Sequence, residues 1–200
     1  MRGGETRGAE LSREISKVDN DSGMHLAEIE TARLRLRVIV ASDSPAIFAY
    51  MSDPRVTAFL PEGCLDEEGS RAFARKHAGA AGQALAVVEK ASGQMIGHMP
   101  FYPWSAPETY EIGWAFGHAH QGKGYATEAG QALIAHAFEA LKAHRVIATC
   151  QPENVASWRV AEKLGLRREG CFRACIYRAP GVWWDEFFYA LLAEEYNALR

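Results

Sequence analysis

A glycine-rich turn is the strongest chemical feature of the sequence. His120-Gln121-Gly122-Lys123-Gly124-Tyr125-Ala126-Thr127-Glu128-Ala129 leads from a strand-like segment into a long helical one. Glycines let a backbone come close to a ligand, and the free N–H groups of a first helical turn, with the helix dipole, attract anions. Phosphate is the natural occupant, although a bare Gly-x-Gly is commonly no more than a loop. Two nucleotide loops are excluded. Gly122-Lys123-Gly124 lacks the GxxxxGK[ST] spacing, and a dinucleotide fingerprint needs Gly or Ala where Thr127 stands. His118 and His120 form a His-x-His pair with no third or fourth ligand nearby, so no metal is expected.

The elements that must hold this turn alternate between short β-like runs and helical ones, as in an α/β or α+β domain. Residues 33–40 alternate basic and apolar side chains, the pattern of a strand with one buried face. Ser42-Asp43-Ser44-Pro45 offers cap chemistry for a helix that Asp53-Pro54 is expected to end. Residues 60–65 read as a loop and 67–77 as a second helix. Strands are expected at 84–89, 95–102 and 110–116, the pause between the last two being marked by Pro100, Pro103 and Pro107. From Tyr125, apolar residues at helical spacing (Ala129, Leu133, Ile134, Ala137, Phe138, Leu141) mark one face of a long helix. A strand at 145–150 and a helix from Asn154 to Gly165, capped by Asn and closed by Gly, come next. Two further strands are expected at 172–178 and 186–192.

Composition narrows the function classes. Of 200 residues, 48% are hydrophobic and 24% charged, which is enough for one large core. The 22 basic residues against 25 acidic ones give a net charge of −3, so nucleic acid is not an expected partner. Residues 1–23 hold neither an aromatic residue nor an apolar run. They read as a disordered extension without a targeting signal, ahead of one domain at 24–200, and no membrane partner is expected. Cys64, Cys150, Cys171 and Cys175 contain no Cys-x-x-Cys pair and read as reduced thiols in a cytoplasmic protein.

The run Gln121-Gly122-Lys123-Gly124-Tyr125-Ala126 resembles the Q/R-x-x-G-x-G/A acyl-CoA pyrophosphate loop of the GCN5-related N-acetyltransferases (GNAT). Asn154-Val155-Ala156-Ser157-Trp158-Arg159-Val160-Ala161-Glu162-Lys163-Leu164-Gly165-Leu166 is similar to the helix after that family's fifth strand. Gly97 in a hairpin, Glu111-Ile112-Gly113-Trp114, Trp183-Trp184-Asp185 and an opening Ile29-Glu30-Thr31-Ala32-Arg33-Leu34-Arg35-Leu36-Arg37 agree in order. Together they resemble the RimJ/RimL branch, whose members acetylate protein N-termini; the likeness spans roughly residues 26–195.

The resemblance implies a mixed, mostly antiparallel sheet flanked by helices and splayed between its fourth strand, ending near Phe116, and its fifth, residues 145–150. Acetyl-CoA would be the co-substrate, with no metal. Backbone groups of Trp114, Ala115 and Phe116 would hold pantetheine, N–H groups of residues 122–126 the pyrophosphate, with Gln121 at the head of that loop. Asn154 would face the same cofactor, and Lys163 would either reach a phosphate or simply be solvated. An amine of pKa near ~10 must lose a proton before attack, so a carboxylate is the expected base: Glu111 first, Glu62 second, Glu111 reading equally as an ordinary strand residue. The tyrosine that many relatives use as acid is replaced by Ala161. Ser157 stands where the RimL-like branch places a serine for that role, or it is a helix residue bonding backbone.

The oxyanion donor would be an N–H near Ala115 or Phe116. His98 reads as an alternative base or as a structural histidine; Trp104, Trp183 and Trp184 as pocket walls or core; Cys171 and Cys175 as packing residues. The expected function is acetyl transfer to a primary amine, either a peptide N-terminus or a small molecule. A non-catalytic acyl-CoA-binding module is the rival reading, and the tail strands offer an edge for a homodimer.

Overall fold

A computed structural model describes residues 28–79 and 82–198. The expected extension, residues 1–23, lies outside them. Among the described residues, nine strands form one sheet: β1 (Ile29–Glu30), β2 (Leu34–Val38), β3 (Ala84–Glu89), β4 (Met95–Pro103), β5 (Thr109–Ile112), β6 (Ala115–Phe116), β7 (Arg145–Cys150), β8 (Arg167–Ala179) and β9 (Val182–Leu192). Their order is β1-β2-β3-β4-β5-β7-β9-β8, with β6 also pairing β4. Only β5 and β7 run parallel; the other pairs are antiparallel.

Helical layers cover both faces. On one side lie α1 (Ser44–Met51) and α3 (Glu67–His77), joined through the short α2 (Pro54–Thr57); Ile47, Met51, Phe73 and Ala74 pack there against Ile39, Ala84 and Ala86. On the other side α4 (Tyr125–Glu139) presents the predicted face, Ala129, Leu133, Ile134, Ala137 and Phe138, to Leu34, Leu36, Val87 and Val146, with α5 (Val155–Lys163) beside it. Each such fully buried Leu or Ile contributes about 2 kcal/mol of hydrophobic stabilisation. A final turn of helix, α6 (Ala193–Ala198), follows β9.

Four expectations change. Asp53-Pro54 does not simply end a helix: Asp53 accepts the Arg55 N–H at 2.9 Å and Pro54 opens α2, because a proline at the first helical position forfeits no hydrogen bond. Asp43 stands at the N-cap of α1 without a side-chain bond into that helix; its carboxylate takes two bonds from Arg37 and one from the N–H of Val40, which caps the 3-10 turn at 41–43. The strand expected at 110–116 breaks at Gly113 and Trp114 into β5 and β6. The last two strands are far longer than expected, a hairpin in which Cys171 and Cys175 are exposed rather than packed, since β8 forms the sheet's edge.

That break opens the sheet. Thr109, Tyr110 and Glu111 pair with Arg145, Val146 and Ile147; beyond that, β6 stays on β4 while β7 continues beside β9 to Cys150. Gly97 makes this possible, because a Cβ there would stand 2.3 Å from the Ala115 carbonyl oxygen and 3.0 Å from Phe116 Cα. Among the described residues, no helix is long and apolar enough to cross a membrane.

Candidate active site

Two cavities meet at the opening. The first, about 510 Å³, lies on the α1–α3 side of the sheet and holds Glu111, Tyr102, Thr149 and Glu186, with Glu62 at its exposed edge. The second, about 550 Å³, holds Gln121, Gly122, Gly124, Tyr125, Ala126 and Lys163. Phe59, Leu60, Trp114, Ala115, Asn154 and Ser157 line both.

Around the second cavity, Gly122 and Gly124 take positive φ (72° and 81°), which costs an L side chain dearly and glycine nothing. Gly124 is the N-cap of the 15-residue α4 with no side chain capping it, so the helix's first N–H groups face the cavity uncapped. Lys163, Arg159 and Arg55 add positive charge along the wall, Arg55 being paired with Asp53 at 2.7 Å. This donor set fits a diphosphate with a further phosphate. Arg55 and Arg159 escape a sequence reading, since nothing local separates them from solvated arginines.

The expected loop residues divide by role. Gln121 Nε2 donates to the Phe116 carbonyl at 3.0 Å, tying the loop to β6. The Lys123 side chain lies outside the cavity lining, while its carbonyl accepts from Arg33 Nη1 at 3.1 Å. Tyr125, nearly buried, donates its hydroxyl to Glu89. Gly113 and Gly117 donate to the Pro100 and Ile96 carbonyls at 3.0 and 2.9 Å. By the alternation of an antiparallel pair, Ala115 turns its backbone to β4 and Trp114 and Phe116 turn theirs toward the opening.

On the first side, Glu111 is half-buried. Burial pushes its carboxyl above the usual range, and the Glu186 carboxylate adds to this, against hydrogen bonds from Tyr102 and from Thr149 Oγ1 (3.5 Å) that favour the charged form. Tyr102 sits directly across from Glu111 in the β4–β5 pair, so side-chain alternation in that hairpin was its available signal; Glu186, 75 residues further on, had none. His98 is buried, its Nδ1 2.8 Å from the Tyr50 hydroxyl, and burial pushes its pKa down to about 3. That favours the structural role and makes it a feeble base. His120 lines the second cavity and His118 is exposed; among the described residues no cluster of three or more His, Cys, Asp or Glu could hold a metal.

At the junction, Asn154 Oδ1 accepts the Ser157 N–H at 3.2 Å, the predicted cap, and Ser157 Oγ accepts the Trp114 indole N–H at 3.1 Å. The buried Cys150 thiol shares the Ser157 hydroxyl, and burial raises its pKa to about 11. Trp104 and Trp183 are exposed, while Trp184 packs on Phe59 (5.6 Å) and under the Arg178 guanidinium (4.3 Å).

The model of the acetyltransferase (GNAT) domain matches residues 33–167. An uncharacterized N-acetyltransferase of Bacillus subtilis, YnaD, is 44% identical over 169 residues, covering 84% of this chain and 99% of that protein. A GNAT-family acetyltransferase of Bacillus anthracis has a solved structure that superposes with a TM-score of 0.79 at 42% identity, covering 84% of this chain and 99% of that one. A ribosomal-protein-serine acetyltransferase of Escherichia coli is 36% identical over 66 residues, 33% of this chain and 37% of that protein. With the split sheet, the uncapped glycine loop and these likenesses in agreement, the chain belongs to the GNAT acetyltransferases, N-acetyltransferase enzymes that use acetyl-CoA as co-substrate.

Proposed function

We propose that the protein transfers an acetyl group from acetyl-CoA directly to a primary amine held in the first cavity, with Glu111 as base and Ser157 as acid. The observation that carries this is the meeting of the two cavities at Trp114, Ala115 and Ser157, with the phosphate-type loop on one side and a perturbed carboxylate on the other. The glycine loop, Lys163 and the outward-turned backbone of Trp114 and Phe116 hold the donor. Glu111 takes a proton from the acceptor's ammonium; the nitrogen forms its bond to the acetyl carbon, the carbon–sulfur bond breaks, and the departing thiolate takes a proton from Ser157, whose oxygen recovers one from the second N–H of the new amide. In this reading the Phe116 N–H stabilises charge growing on the acetyl oxygen. Thiolate is a good leaving group, so Ser157 assists without being obligatory.

The acceptor in the primary reading is an N-terminal α-amine of a protein, supported by the branch resemblance and the local likeness to the ribosomal-protein-serine acetyltransferase. A small amine is the second reading, supported by the first cavity's volume of about 510 Å³, a size suited to a small molecule. Acetyl-CoA-dependent thiol release, screened with peptides of varied N-terminal residue and a panel of small amines, tests both. Release only with peptides sustains the first reading, and release only with small amines replaces it with the second. Acetyl-CoA binding without release by any acceptor supports the non-catalytic module.

A further inference from the structure

The bend before β2 reaches across to the glycine loop with a single side chain. Arg33 Nη1 donates to the Lys123 carbonyl at 3.1 Å, its guanidinium stacks over the Tyr125 ring at 4.5 Å, and its Nη2 is the nearest atom, 3.6 Å, to where a Gly124 Cβ would stand. Arg33 Nε also bonds Glu128 Oε2 at 2.6 Å, while the Arg33 backbone N–H and the Thr31 hydroxyl both donate to Glu128 Oε1, at 2.8 and 2.6 Å. One residue therefore bonds Lys123, stacks on Tyr125, lies beside the Gly124 between them and pairs with the first acidic residue of α4.

Glu128 is a liability where it stands. It lies in the first turn of a helix whose N-terminus must receive an anion, and an ionised carboxylate there opposes a diphosphate. Its three donors come from Thr31 and Arg33, next to the fully buried Leu34 and Leu36, so the anchor is held by the core. The loop itself contains two glycines at positive φ, the residue type with most freedom to lose on ordering. A clamp that fixes the loop before the ligand arrives spares that cost at binding.

Building on the donor site assigned above, we propose that Arg33 is a positioning residue for the diphosphate of acetyl-CoA: it holds the loop in its binding form and neutralises Glu128 at the anion end of α4. Arg33 is absent from the cavity lining, so it acts through Lys123, Gly124 and Glu128 rather than by contact.

The test is CoA affinity by titration calorimetry on wild type, Arg33→Ala, Arg33→Lys and Arg33→Ala/Glu128→Gln, with KM and kcat for acetyl-CoA and for S-acetylpantetheine, which lacks the diphosphate. Arg33→Ala is expected to weaken CoA about tenfold, with KM for acetyl-CoA rising and kcat kept. The double variant should recover part of that loss, and KM for S-acetylpantetheine should stay constant. Arg33→Lys keeps the charge but not the fork that spans Glu128 and Lys123, so it should show a smaller loss in the same direction; it decides the matter if Arg33→Ala does not fold. CoA binding at wild-type strength in the variants, or an equal loss for both donors with no recovery in the double variant, overturns the proposal. Failure of the wild type to bind CoA would overturn the donor-site assignment instead.

Discussion

Trp114 Nε1 donates a 3.1 Å hydrogen bond to Ser157 Oγ across the junction of the two cavities. The bond fixes the serine hydroxyl from a residue within the break between β5 and β6, so the opening of the sheet also places the candidate acid.

Ser157→Ala should lower kcat about tenfold with KM for acetyl-CoA nearly unchanged, a small effect for a general acid because thiolate leaves readily. Trp114→Phe should act in the same direction but less, and the double variant should cost less than the sum, since both act through one hydroxyl. Steady-state kinetics read this; full activity in Ser157→Ala removes the serine from the reaction.

Glu111→Gln should cut kcat/KM about 100-fold at neutral pH. In the wild type, burial and then the Glu186 charge raise the Glu111 carboxyl, so the acidic limb of the kcat/KM profile should lie above the ordinary glutamate range. Glu186→Gln removes a like charge, lowers the Glu111 pKa and moves that limb to lower pH. Tyr102→Phe removes a bond that favours the charged form and moves it to higher pH. A limb that neither change displaces belongs to another group.

Gly97→Ala places a methyl group 2.3 Å from the Ala115 carbonyl oxygen, a backbone atom that cannot swing aside. The expected result is a loss of about 2 kcal/mol by denaturant unfolding and a raised KM for acetyl-CoA as β6 shifts. Unchanged stability and KM would mean that β6 moves freely.

Asp43 ties the start of α1 to β2 through two 2.7 Å bonds from Arg37. Burial alone would raise its carboxyl, but Arg37 and the Val40 N–H hold it below the ordinary value. A lowered native pKa adds stability that is fully present above the unfolded value, near ~4, and lost as pH falls through the native one. Asp43→Asn should therefore cost about 2 kcal/mol at neutral pH, and the gap to wild type should close below pH ~4 in thermal melts. A gap that stays constant with pH would assign the effect to packing.

The local parts of this protein were legible in its residues. Gly122 and Gly124 ahead of a long apolar periodicity gave an uncapped helix N-terminus, and Asn154 with Gly165 bounded α5, because caps and glycine turns depend on neighbours within a few positions. The sheet's opening between the strand reaching Phe116 and the strand at 145–150 was likewise expected, through family resemblance. Tertiary structure alone decided the environment of Glu111, where Tyr102 arrives by strand register and Glu186 from a distant hairpin. It alone set Arg33 against Glu128, 95 residues apart, and left Cys171 and Cys175 exposed on an edge strand. Periodicity says which face of an element is apolar, but a pKa or a clamp depends on charges and donors that only the packed sheet brings within a few ångströms.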